Sequence, residues 1–271
     1  MKNSLLANSK KYLRIFRLGW LDAVEYRTDF FMSVFGWGIR MAIATFLWKA
    51  VSNGQNGSIG SYSYQSIMSY FLLVQILSSF VFSQIGFTIV EDVNKGEFNQ
   101  YLLKPIAYLP FRFLFDLSRN TFRTLIGTVI FGTIIAVFYG GIPIFASKIP
   151  FVFASVIGGY MINFCILSML GMSSFWLENT RRIIFIYFGM LTIFSGMIVP
   201  LNLFPPLFLN IISRLPFGYI FFYPIQVLQA TSITPEIISG LMIQWAYAIG
   251  LYSLAYLMFR RGVRRFEGVG I

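Results

Sequence analysis

The chain has 271 residues, 57% of them apolar and 11% charged, with a mean hydropathy of +0.71, so too little polar surface exists to cover a water-soluble globule. A soluble domain is excluded, and apolar runs of about 20 residues recur, each long enough to cross a bilayer as a helix. Lys and Arg number 21 against 10 Asp and Glu, an excess to be read as membrane topology before it is read as a nucleic-acid footprint.

The first segment, residues 1–29, carries Lys2, Lys10, Lys11, Arg14, Arg17 and Arg27, and places Tyr12, Ile15, Phe16, Gly19 and Trp20 on one helical face. This pattern predicts a basic amphipathic helix lying along the inner membrane face, not a removable signal peptide. Six spans are expected next, at 30–51, 64–90, 122–142, 151–176, 183–200 and 237–259, forming a permease domain over residues 30–271. With the N-terminus inside, every basic residue except Arg40, Lys49, Lys148 and Arg214 falls in a cytoplasmic segment, so both termini are expected in the cytoplasm.

Two connections are not ordinary loops. The cytoplasmic stretch after the second span, residues 91–121, mixes acidic and basic residues. Within it Phe98, Tyr101, Leu102 and Pro105 follow helical spacing while Glu97, Asn99, Gln100 and Lys104 fall mostly elsewhere, which predicts a short amphipathic helix ended by Pro105 and Pro110. The second connection, residues 201–235, holds five prolines and only one charge, Arg214. Proline forbids a straight span and the apolar composition forbids a solvated loop, so short helices dipping into the outer leaflet as a re-entrant cap are expected. Its rings, Phe204, Phe217, Tyr219, Phe221, Phe222 and Tyr223, are candidates for an outer gate, or equally for an aromatic belt at the head-group level.

The spans as placed contain no internal Asp or Glu, because Glu91, Glu178 and Glu236 sit at ends. Proton-coupled transport through buried carboxylates therefore loses support, while sodium coupling through carbonyls and hydroxyls stays open. The absence of histidine and the single cysteine, Cys165, leave no defensible nucleophile or metal constellation, so no catalytic or metal residues are expected. Arg40 lies about 15 Å into the first span, where a guanidinium must face protein or water. With Gln75 and Asn163 it marks a candidate substrate path, on which it would meet an anionic head group of the substrate; capture by carbonyls or by Gln75, Gln84 or Gln244 is the competing reading. On the fourth span Ala154 with Gly158, and Ser155 with Gly159, permit close helix approach, by default within the subunit. No GxxxxGK[ST] phosphate loop occurs, so any energy from ATP must enter through another subunit.

Three runs then suggest a family: "EYRTDFF" before the first span, "EDVNKGEFNQYLLKPI" after the second and "LPFGYIFFYPIQVL" before the last. In order and placement the chain resembles the ABC type-2 exporter permeases. The resemblance implies an all-α membrane protein that exports a hydrophobic or amphipathic substrate. It also implies a dimer with a second permease, same or similar, in a bacterial cell membrane, and two ATP-binding-cassette subunits that hold ATP and Mg. On that resemblance Asn94, Lys95, Gly96, Glu97, Phe98, Tyr101, Leu102 and Pro105 form a coupling helix with apolar side chains seated in a groove of the ATP-binding subunit. A self-sufficient secondary transporter or channel is the alternative, and a non-transporting scaffold a third.

Overall fold

A computed structural model describes residues 2–25, 27–54, 58–60, 62–103, 106–139 and 145–266. In chain order these form α1 (Lys2–Glu25), α2 (Arg27–Gly54), a small hairpin of β1 (Ser58–Ile59) and β2 (Tyr62–Ser63), α3 (Tyr64–Val81), α4 (Ile85–Asn94), α5 (Phe98–Leu102), α6 (Tyr108–Phe138), α7 (Ile149–Met172), α8 (Thr180–Phe194), α9 (Pro206–Ile212), α10 (Phe222–Gln229) and α11 (Pro235–Arg265). The architecture is that of an all-α membrane protein. Among the described residues five helical stretches are long and apolar enough to span a bilayer: Val34–Asn53, Tyr64–Asn94, Tyr108–Phe138, Ala146–Phe175 and Pro235–Arg265.

The expected fifth span, 183–200, is shorter than the sequence suggests. It appears as α8, 15 residues or about 22 Å at 1.5 Å per residue, against a hydrocarbon core of about 30 Å. Gly196 stops it, taking a left-handed φ of +87° that a side chain would resist.

The interior is built on α3 and α7, whose side chains are mostly buried, whereas α2 and α11 are mostly exposed. α6 packs along α3, α1 lies against the first half of α6, and α4 and α11 flank α7. Thus the N-terminal helix is held by protein as well as being suited to the membrane surface. Trp20 meets the Phe122 ring edge-on at 5.2 Å, and Ser118 Oγ donates to the Phe16 carbonyl. The small residues of α7 are spent inside the subunit: a side chain at Gly159 would stand 2.7 Å from the Ile220 carbonyl, and Gly158 accommodates Gln244 of α11.

Two boundaries move relative to the sequence reading. α6 begins at Tyr108 instead of 122, and Pro110 opens that helix rather than closing the one before it. A proline in the first turn has no carbonyl partner to lose. The second span is continuous in the sequence but broken in the structure, with Phe82, Ser83 and Gln84 unwound between α3 and α4. A break inside a bundle frees carbonyls that must be satisfied. Asn120 Nδ2 donates to the carbonyls of Phe80 (2.9 Å) and Phe82 (3.2 Å), and Asn163 Nδ2 to that of Val81 (2.7 Å). Ser83 Oγ accepts the Ile85 amide at 3.0 Å, satisfying the first amide of α4 from the residue before its N-cap, Gln84.

In the cap each proline sits where a helix begins: Pro206 opens α9, Pro216 opens a 3-10 turn (Pro216–Tyr219), Pro224 is third in α10 and Pro235 opens α11. Lys148, fully buried, donates its Nζ to the carbonyls of Leu228 and Ala230 and so caps the end of α10.

Candidate functional site

Three regions carry the candidate residues. The first is a cleft between α2, α3 and the α8 end. A cavity of about 320 Å³ is lined there by Trp37, Arg40, Trp48, Phe71, Gln75 and Ser78. A second, of about 230 Å³, shares Trp37, Arg40, Ser78 and Phe82 with it and adds Gln84 and Arg123. Arg40 and Gln75 therefore do come together. Asn163 does not join them: it is fully buried, its amide is committed to the Val81 carbonyl, and its Oδ1 accepts the Tyr187 hydroxyl at 2.5 Å. Both polar atoms are consumed in holding the broken span, so its role is interhelical.

The second region is the corner joining α4, α5 and α6, the stretch expected on the cytoplasmic side. Gly96 makes the turn with φ +72°, and its amide bonds to the Val93 carbonyl, a helix ending that favours glycine. The expected amphipathic helix exists as α5, five residues long, but its apolar face points into this chain. Phe98 is fully buried, with ring centroids of Tyr108, Phe175, Phe259 and Phe266 within 5.0–6.1 Å. Tyr101 is half-buried against Tyr108 and Phe111, with the Arg112 guanidinium 4.9 Å from its ring. Burial, opposed by that guanidinium, holds the Tyr101 hydroxyl above its ordinary range. The seating of Phe98 in a partner's groove is thereby corrected, because a ring enclosed by four others has no face left to offer. What the corner presents outward is Asn94, Lys95, Glu97, Gln100 and Leu103, the last 87% exposed. Leu102 closes α5, and Pro105 lies outside the described residues.

Behind the corner sits a buried charge network that the expected span boundaries concealed. Because α6 starts early, Asp116 is inside the bundle, and Asp92, near the end of α4, is buried too. Asp92 accepts from Tyr108 and Arg112. Asp116 accepts from Arg119 (3.0 Å), Tyr160 (2.9 Å) and Asn120 (3.4 Å). The expectation that no carboxylate is buried is therefore wrong, although both are paired with arginines, as buried charges require.

The third region is the cap. Phe221 is fully buried and reaches Phe82 at the break, 6.4 Å between centroids; Phe217 is buried against Tyr187 and Phe194. Tyr223, also buried, donates its hydroxyl to the Ile237 carbonyl. Phe204 packs at a tilt on Phe208, Phe222 packs against Tyr70, and Tyr219 touches Tyr223 and Tyr247; Phe204, Phe222 and Tyr219 are only partly buried. Of these rings Tyr219, Phe222 and Tyr223 line a cavity of about 530 Å³ between the cap and the start of α11, bounded also by Leu209, Gln226 and Glu236. Its walls all come from residues 201–240, brought together by the fold of the cap against the start of α11.

The model of a family described as ABC-2 family transporter protein matches residues 39–270 of this chain. No curated protein matches it.

Proposed function

The chain belongs to the ABC-2 family of transporter proteins, and from that premise we propose that it is the permease subunit of an ATP-driven exporter of a hydrophobic or amphipathic substrate. The family makes it a transport component of the membrane, not itself an enzyme. In this reading ATP and Mg are held by two separate ATP-binding subunits, and a second permease, same or similar, completes the transporter. Both termini face the cytoplasm of a bacterial plasma membrane. α8 and the turn after it form the short fifth of six crossings, and the cap dips into the outer leaflet.

The observation that carries the reading is the cytoplasmic corner. Phe98 anchors α5 inside the bundle, while Lys95, Glu97 and Gln100 stand outward on a turn fixed by Gly96. A partner pressing on those polar groups moves α4 as a rigid piece, and the unwound residues 82–84 give α4 a joint against α3. That joint lines the cleft and touches the cap through Phe221, so one displacement reaches both the path and its outer cover. Closure of the ATP-binding subunits thus favours one arrangement of the cleft over another, and the substrate moves because it binds the two unequally.

ATP turnover by the ATP-binding subunit, reconstituted with the chain in vesicles, tests this. Charge reversal at Lys95→Glu with Glu97→Lys should abolish the stimulation that the chain confers, with the chain still monodisperse. Unchanged stimulation would remove the corner from the coupling path. Substrate movement driven by an ion gradient alone would replace the exporter with a self-sufficient transporter.

A further inference from the structure

The two cavities of the α2–α3 cleft differ in character along one line. Toward the outer end the walls are Ile43, Leu47, Trp48, Phe71 and Val74; toward the break they are Arg40, Ser78, Ser79, Gln84 and Arg123. On α2 the linings run from Gly36 to Trp48, about 18 Å of helix at 1.5 Å per residue. An apolar slot therefore leads into a polar pocket that carries two guanidinium groups, and among the described residues of the two linings there is no Asp or Glu.

Three other arginines of the bundle have carboxylate partners. Arg112 meets Asp92, Arg119 meets Asp116, and even the exposed Arg181 meets Glu91 at 2.8 Å. Among the described residues no carboxylate lies within ion-pair distance of Arg40. Ser78 Oγ, on a residue 2% exposed that lines both cavities, is buried without a hydrogen-bond partner among the described residues. A buried hydroxyl left in that state, beside the exposed Arg40 guanidinium that lines the same cleft, is a site short of an acceptor.

We propose that the cleft binds an amphiphile with an anionic head, phosphate or a like oxyanion, its head between Arg40 and Arg123 and its chain in the slot against Trp48 and Phe71. Ser78 Oγ and Gln84 supply neutral donors to the same head. Guanidinium groups suit this work because they stay charged and present several donors to one oxyanion. The slot supplies affinity through apolar burial while the head fixes orientation, the division of labour usual in pockets of this size. This inference rests on the exporter reading only for calling the ligand a substrate; occupancy itself needs neither ATP nor a partner.

The test uses the full chain in phosphatidylcholine nanodiscs, without nucleotide, titrated with dibromododecyl phosphate. Bromine on the chain quenches tryptophan fluorescence at short range, and Trp37 and Trp48 line the cleft. Saturable quenching is expected, reduced by Trp48→Phe, with half-saturation raised about tenfold by Arg40→Gln and by no more than about threefold by Arg40→Lys. The same chain carrying a trimethylammonium head should quench without saturating. Equal half-saturation for the two heads, or an Arg40→Gln protein indistinguishable from wild type, would overturn the proposal. Discs containing phosphatidylglycerol separate the two sources of such a ligand: competition identifies a bilayer lipid, and lack of competition a free single-chain amphiphile, either of which upholds the site. Loss of ATPase coupling with binding intact would sink the exporter reading alone.

Discussion

The corner of α4, α5 and α6 and the α2–α3 cleft both carry arginines, yet they treat them in opposite ways: Arg112 is buried against a carboxylate, and Arg40 stands exposed in the cleft. At the corner Arg112 and Arg119 are matched to Asp92 and Asp116, and Tyr108, Tyr160 and Asn120 donate to the same carboxylates, while Arg112 Nε, Arg119 Nε and Asn120 Oδ1 are buried without a hydrogen-bond partner among the described residues. In the cleft Arg40 faces a cavity with no described carboxylate beside it and with Ser78 Oγ unpartnered. A charge-paired network of this kind fixes a shape, because every alternative arrangement strands a buried charge. A guanidinium with no carboxylate beside it leaves its donors for something that comes and goes. The contrast assigns rigidity to the corner and ligand contact to the cleft.

If that division is right, substitutions on the two sides separate stability from binding. The largest loss is expected at Asp116→Ala, which strips Arg119, Tyr160 and Asn120 of their shared acceptor; truncating one side of a buried pair costs about 3–5 kcal/mol. A thermal melt followed by size-exclusion chromatography should show it as a markedly lower half-loss temperature, and an unchanged melt would mean the network is dispensable. Asn163→Leu comes next, since it bares the Val81 carbonyl and the Tyr187 hydroxyl together, about 1–3 kcal/mol for each buried group left unpaired. The same melt reads it, and a neutral outcome would show that the break in the second span does not depend on side-chain capture. Gly96→Ala is smaller: forcing a side chain into the left-handed turn costs about 1–2 kcal/mol, which a denaturant or heat titration against wild type would resolve. Arg40→Gln should leave stability within about 0.5 kcal/mol while weakening the amphiphile. A cleft variant that melted as early as Asp116→Ala would erase the distinction between the two regions.

Composition and run length made the membrane class and the order of elements legible, because hydropathy over about 20 residues is a property of the sequence alone. The cap was legible for the same reason: five prolines in an uncharged, ring-rich stretch permit little besides short helices. What escaped was whatever depends on partners distant along the chain. Phe82, Ser83 and Gln84 contain neither glycine nor proline, so nothing local marks the break; it exists because Asn120 and Asn163, on two other helices, accept the cost of the freed carbonyls. Asp116 read as a loop residue because charges lower hydropathy whether or not arginines neutralise them. Phe98 lay on the correct face of a correctly placed helix, but periodicity gives only that a face is apolar and not whose core it enters. Arg40 and Gln75 were legible as polar residues in apolar spans, and their meeting in one cavity required the packing of α2 on α3.

The central claim, a permease that works through a separate ATP-binding subunit, is tested most directly by affinity purification of the tagged chain from its native cells in a gentle detergent, with mass spectrometry of the eluate and an ATPase assay. The expected result is a stoichiometric ATP-binding subunit and ATP turnover, both lost from a still monodisperse Lys95→Glu, Glu97→Lys chain. A chain that elutes without such a subunit across several detergents, with no ATPase activity, would contradict the claim.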